Sequence, residues 1–183
     1  MQLDEAGLDE YTDRFDRDAF RHETRTHYQT SGGSDEHTRW LAGEMPPGSD
    51  ADRPWSAWVR AQLDRGAAVR RLRVVYGPLS DHLRFELGWQ YPANAAAGEE
   101  IRVLDLTERP RPVGMVDDEF WVLDGERAVL MTYADDGRFL HGDAVEGRDA
   151  DRIRRARDAA WDAAEPFDQW WTRHPEYHCA VTC

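Results

Sequence analysis

Between Val69 and Val103 apolar runs and breaks follow one another in an order that implies an architecture. A β-branched run, Val69 to Val75, gives way to Gly77-Pro78, then to a long amphipathic segment, to Gly98, and to a second apolar run at Ile101 to Leu104. A strand, a turn, a covering helix and a returning strand account for that order, because parallel neighbours need a crossover of about a dozen or more residues. The covering segment carries two periods at once. Leu79, Leu83, Leu87 and Tyr91 recur at helical spacing, with Phe85 and Trp89 as a second stripe, as in a helix buried on more than one side. Leu83, Phe85, Leu87, Trp89 and Tyr91 also alternate with His82, Arg84, Glu86, Gly88 and Gln90, as in a half-buried strand. Ser80-Asp81 suits a helix start and Ala93 to Ala97 before Gly98 a helix stop, so a helix is the preferred reading.

The rest of the chain is read against this nucleus. Residues 1–16 mix acids with Leu3, Leu8, Tyr11 and Phe15 and read as an acidic segment, a short helix or, by preference, a fraying end. Phe20, His22, Thr24, Thr26 and Tyr28 alternate with Arg21, Glu23, Arg25 and His27, which predicts an edge strand bearing charge on its open face. Ser34 can cap a short helix closed by Gly43, and residues 43–54 form a Pro, Gly and Asp-rich surface loop. Asp52 as cap, Pro54 in the first turn, Trp55, Trp58, Val59 and Leu63 on one face and Gly66 beyond the end mark a helix.

Phe120 to Leu123, Ala128 to Tyr133 and Phe139 to Val145, separated by Asp124-Gly125 and Asp135-Asp136-Gly137, predict an antiparallel meander, since Asp-Gly supplies the positive φ of tight hairpins. A last helix over 149–164, with Ile153, Ala156, Ala160 and Trp161 on one face and an Asp151–Arg155 pair, ends at Pro166. Phe167, Trp170 and Trp171 can pack back on the body. The expected fold is α/β, with α+β open: a mixed sheet with one β-α-β crossover followed by a meander, and helices on at least one face. A single domain over 17–171 and a tail at 172–183 complete the layout.

Composition narrows the function classes. The chain has 183 residues and a net charge of -13, which argues against phosphate-backbone binding as its main activity. All 23 basic residues are Arg. With no Lys, a Walker A lysine, a Schiff-base lysine and a Lys-dependent phosphodiesterase motif are excluded. No apolar run approaches the roughly 18 residues of a membrane span, and MQLDEAGLDE is not a leader, so a cytoplasmic location is expected. The two cysteines, Cys179 and Cys183, staple nothing in the body.

Three groups of residues carry candidate chemistry. Arg84 and Glu86, with Glu99, Glu100 and Arg102, bracket the two ends of the nucleus and are the candidate ligand-binding set, lining a crevice at the strand ends. An ordinary ion-pair network is the preferred reading of the same residues. His174, His178, Cys179 and Cys183 have the ligand types and spacing for zinc, although Pro175 interrupts them and a free or oxidised tail is preferred. Asp81-His82 beside Arg84 reads as a capped helix start sooner than as a catalytic base. Trp121, Trp161, Trp170 and Trp171 read as core, and the Arg152 to Arg157 run, interleaved with Asp, as a solvated helix face. Neither a catalytic residue nor a cofactor can be named from the sequence.

The segments AFRHET (19–24), RWLAGE (39–44), VRRLRVVYGPLSDHLRFEL (69–87), NAAAGEEIRVL (94–104), EFWVLD (119–124), YADDGRFLHGDAV (133–145) and RDAAWDAAEPF (157–167) closely resemble an uncharacterised actinobacterial family, domain of unknown function 6879. Its members are commonly encoded beside helix-turn-helix regulators. The resemblance implies a small intracellular protein of regulatory or interaction type, with a helix-turn-helix protein as partner. It carries over no catalytic residue, and the tail HPEYHCAVTC departs from the family pattern. A remoter likeness, to half of a phospholipase D-like domain, brings no reaction, because that chemistry needs a His-x-Lys pair. The function expected is therefore non-catalytic regulation, through a partner or a sensed small ligand. The alternative is a small enzyme of a secondary-metabolite pathway using the Arg/Glu crevice or a tail-bound metal.

Overall fold

The computed structural model describes residues 1–29, 34–44 and 53–178, without the side chains of Ser34 and Asp35. The capping roles expected of Ser34 and Asp52, and Cys179 and Cys183, lie outside the described residues. The chain opens with β1 (Gln2–Leu3), α1 (Glu5–Thr12), β2 (Asp18–Glu23), α2 (Ser34–Leu41), α3 (Pro54–Asp64) and β3 (Ala68–Val75). The crossover follows as α4 (Asp81–Phe85), a π-helical turn (Glu86–Gln90) and α5 (Tyr91–Ala96), leading to β4 (Glu100–Asp105). Next come the meander β5 (Glu119–Leu123), β6 (Arg127–Tyr133) and β7 (Phe139–Val145), then α6 (Gly147–Ala163), β8 (Glu165–Pro166) and α7 (Phe167–Arg173). The strands form one sheet in the order β1-β7-β6-β5-β2-β3-β4-β8. β2, β3 and β4 run parallel, and β5 turns antiparallel to β2 to begin the meander. The α/β class, the crossover and the meander are thus as the sequence patterns predict.

The covering segment is helical, and Ser80 caps it by accepting the Leu83 N–H. It is not a uniform α-helix, because the Tyr91 N–H reaches back to the Glu86 carbonyl, five residues away. Pro92 supplies the reason. Its ring collides with the carbonyl four residues before it in an α-helix, and it has no N–H to contribute. Widening the preceding turn moves that carbonyl aside. Gly98, at φ +104, then reverses the chain into β4, and a Cβ there would lie 2.3 Å from the Leu63 side chain. The Asp124-Gly125 hairpin has positive φ at both residues, 57° and 69°. Asp124 also accepts hydrogen bonds from the Asp16, Arg17 and Asp18 amides, pinning the entry to β2.

Strand alternation sorts the core onto two faces. Phe20, Leu72, Leu104, Phe120 and Val122 share one face, where α6 lays Ala150, Ile153 and Ala160 on them. Each fully buried aliphatic there contributes about 1.5–3 kcal/mol. The opposite face is apolar only at its margins. The crossover and α7 cover Val75, Ile101 and Val103 with Leu83, Leu87, Tyr91, Phe167 and Trp170. α3 covers Val69 with Val59, while Phe15 and Tyr11 pack on Ala19 and Leu123. Trp170 is core, as expected, and Trp161 packs against the first cluster.

Three local expectations change. β2 is not an edge strand: it lies between β5 and β3, and Arg21 and Glu23 are buried. A central strand tolerates them because Glu23 faces Arg73 of β3 at matching register and Arg21 reaches Glu119 diagonally on β5. Residues 2–12, read as an end free to fray, carry β1 and α1, with Asp4 capping the helix through the Gly7 N–H and Leu3 buried. Asp151 pairs with Arg154, one turn on, where the expected partner is Arg155.

Candidate functional site

The centre of the second face holds charge where a sheet ordinarily holds aliphatics. β2 contributes Arg21 and Glu23, β3 contributes Arg71 and Arg73, and β5 contributes Glu119, all pointing the same way by strand alternation. Glu23 is the hub. It accepts from Arg71 Nη1 at 2.5 Å, from Arg73 Nη2 at 2.7 Å and from the Tyr91 hydroxyl at 2.6 Å. Arg73 is 1% exposed and spends every nitrogen, on Tyr91, the Arg25 carbonyl, Glu23 and Glu86. Arg21 pairs with Glu119 at 3.1 Å and donates to the Tyr133 hydroxyl at 3.1 Å. Glu119 also takes the Thr24 and Arg25 amides and the Tyr28 hydroxyl, which fixes the segment leaving β2. Glu99 anchors the other side, accepting from Arg71 Nε at 2.8 Å and from the Trp55 indole at 2.8 Å.

Protonation states follow from the geometry. Burial acts to raise the Glu23 carboxyl, and Arg71, Arg73 and Arg21 overcome it and hold the group far below the usual carboxylate range. Burial pushes the Tyr28 and Tyr91 hydroxyls well above their ordinary value, so both act as neutral donors. On the opposite face of β2, burial pulls His22 down to about 4, and its Nδ1 bonds the Asp118 carbonyl at 2.9 Å while its ring stacks on Phe120.

Above this network lies a cleft of about 740 Å³. Its floor is Arg21, Glu23 and Arg71 from the sheet. One wall is α1, through Glu5, Leu8 and Asp9, and the facing wall is the π-helical turn, through Glu86 and Gln90. Tyr28 and Gln29 close one end, and Tyr133, Arg138 and Phe139 from the β6–β7 hairpin form the rim. Of the three Arg71 nitrogens, Nε and Nη1 are spent on Glu99 and Glu23, and Nη2 has no protein acceptor among the described residues. A guanidinium oriented on two sides and open on the third can receive a carboxylate or phosphate oxygen.

The sequence-derived ligand set divides between three places. Glu86 and Glu99 belong to the network, and Glu86 lines the cleft. Arg84 lies outside it, with its guanidinium over the Tyr177 ring. Arg102 is on the opposite face of the sheet, over Trp161 and paired with Glu100 at 3.4 Å. Strand parity explains this: Arg102 is flanked by Ile101 and Val103, which pack under the crossover. His82 hydrogen-bonds Glu86 at 3.2 Å from within α4, next to the Ser80 cap. Of the tail residues, His178 bonds the Trp171 carbonyl and stacks on that ring, whereas His174 reaches Glu108 and Glu176. Sequence reasoning missed Arg21, Glu23, Arg71, Arg73 and Glu119. The available signal was the pair of arginines inside the β-branched run of β3, where a central strand demands partners.

A family model described as Domain of unknown function (DUF6879) matches residues 6–172. The chain belongs to that family. The DUF6879 match begins in α1 and ends in α7, so it takes in both cleft walls and the sheet between them. No match was found among curated proteins. Among the described residues of this DUF6879 chain, no helix is long and apolar enough to cross a membrane.

Proposed function

We propose that the protein is a non-catalytic cytoplasmic binding module that senses a small polar ligand in the cleft between α1 and the π-helical turn. The observation that carries this reading is the Arg71 guanidinium, fixed by Glu99 and Glu23 in the lining of the cleft, with no acceptor for Nη2 among the described residues. Arg138 at the rim offers a second cation, and Glu5 and Asp9 on α1 face them with negative charge. That arrangement suits a ligand with a carboxylate or phosphate at one end and an ammonium or hydroxyl group at the other. Tyr28, Tyr133 and Phe139 give its body an aromatic surface. Occupancy would be reported to a second protein. A helix-turn-helix regulator is the partner that the family resemblance implies, and a net charge of -13 favours encounter with a basic one.

Ligand-observed NMR against a panel of small carboxylates, phosphates and zwitterions tests the reading. Binding is expected, weakened about tenfold or more, equivalent to about 1.4 kcal/mol, by Arg138→Ala and by Arg71→Gln, the latter compared only where circular dichroism shows the variant folded. Arg84→Ala, outside the cleft, should leave it unchanged. A panel without a binder, or binders indifferent to both cleft variants, would overturn it. The second reading, a small enzyme, draws on a different observation: Asp105, Glu108 and His174 bring potential metal-ligand atoms within 4.8 Å of one another.

A further inference from the structure

Away from the cleft, at the carboxyl end of β4, three side chains converge from two distant parts of the chain. Asp105 is the last residue of β4, Glu108 follows in the next turn, and His174 closes α7. Their ligand atoms lie within 4.8 Å of one another. We propose that Asp105, Glu108 and His174 bind one divalent first-row metal ion, with zinc-like coordination by two carboxylates and an imidazole.

Each of the three is held from behind by a group that would remain in place around a bound ion. The His174 ring points Nδ1 at Glu176 Oε1, 2.9 Å away, and lies tilted against Trp170, with ring centres 4.4 Å apart. A carboxylate on Nδ1 fixes the tautomer that leaves the Nε2 lone pair for a metal. That Nε2 is buried and makes no hydrogen bond, although Glu108 Oε1 is 3.2 Å from it. Asp105 is 3% exposed. Its Oδ1 accepts from the Thr107 amide and hydroxyl, and its Oδ2 accepts from the Trp170 indole at 3.0 Å. Arg173 grips both oxygens of Glu108, at 3.0 and 3.4 Å, which leaves each a further lone pair.

The donor set fits the ion. Zinc takes imidazole and carboxylate at about 2.0–2.2 Å, and three protein ligands leave a coordination position open. A dication between them would relieve the repulsion between two carboxylates that a strand end and a turn bring together. The site differs from one built on the tail, because it uses His174 with two acids of the body and needs neither cysteine.

Zinc titration of the chelator-stripped, full-length protein against a chromophoric competitor tests this. One equivalent is expected to bind. His174→Ala and Glu108→Gln should each weaken it at least about tenfold, and Glu176→Gln about tenfold through the ring's orientation alone. Glu108 and Glu176 are exposed enough for their variants to keep the metal-free thermal midpoint, which separates loss of a ligand from loss of the fold. The Cys179→Ser, Cys183→Ser double variant should bind as the unaltered protein does. No stoichiometric binding would leave His174 a structural link between Glu108 and Glu176 and overturn the proposal. Binding that survives His174→Ala and Glu108→Gln but fails in the cysteine variant would overturn it as well.

Discussion

Arg73 shows what decides whether a charge can stand inside a sheet. Stripping a guanidinium of water costs several kcal/mol, and mutual attraction repays it only if every nitrogen finds an acceptor. Arg73 finds four acceptors, so the network works as a rigid polar layer whose members cannot be removed singly. Breaking one such buried pair costs about 3–5 kcal/mol, because the partner stays behind uncompensated. His22, one residue from Glu23 on the other face of β2, has the opposite problem and is buried neutral against Phe120. Its folded value of about 4 lies below its ordinary 6.5. The stability it contributes is therefore fully present above 6.5 and drains away as the pH falls towards 4, where the unfolded chain binds the proton first. At about 1.4 kcal/mol per pH unit the loss is on the order of 3 kcal/mol. The urea midpoint should fall across that window, and His22→Gln should flatten the fall. A midpoint as steep in His22→Gln as in the unaltered protein would refute the assignment. At this scale the sequence was least informative, since an arginine between apolar neighbours, as Arg73 is, or a histidine between charged ones, as His22 is, looks the same whether its strand is central or marginal.

Elements were far more legible. The meander could be read because Asp-Gly dictates a backbone conformation locally, and both strands of the crossover because β-branched runs stop at Gly77-Pro78 and start after Gly98. The segment between them satisfied two periods at once, and the tie was broken by its ends, through the Ser80 cap and the Gly98 stop. The π-helical turn was not foreseeable from hydrophobic spacing, although Pro92 within the helical run is its cause. Gly98 is where element and packing meet. Its φ of +104 strains any other residue, and an added Cβ would collide with Leu63 of α3. Gly98→Ala should destabilise the protein by about 1–3 kcal/mol or more, read as a lowered thermal midpoint. A Gly66→Ala control, at φ +87 with open space around it, separates the backbone share from the collision. Equal losses in the two variants would show that the contact with Leu63 is immaterial.

At the level of the molecule, the cleft exists because two helical coverings stop short of each other. α1 and the crossover are far apart in sequence, and only the strand order, with the meander folded back beside β2, sets them on one face. No periodicity encodes that distance, which is why Glu86 and Glu99 could be picked from the sequence while Arg21, Glu23 and Arg71, the floor beneath them, could not. Arg84 and Arg102 were drawn in by proximity along the chain to residues that do belong.

The sheet closes at both margins on strands of only two residues, Gln2–Leu3 beside β7 and Glu165–Pro166 beside β4. Such stubs act as selvedges. They occupy the hydrogen-bonding rows of β7 and β4 while offering an incoming chain almost nothing to pair with, and Pro166 lacks even the donor. Trimming residues 1–4 should lay bare the β7 backbone at Gly142 and Asp143 and give a shortened protein whose sedimentation coefficient climbs with concentration. If the trimmed and full-length forms sediment alike across the same range, the stub guards nothing. If they diverge, residues 1–4 shield the β7 edge from pairing with another chain.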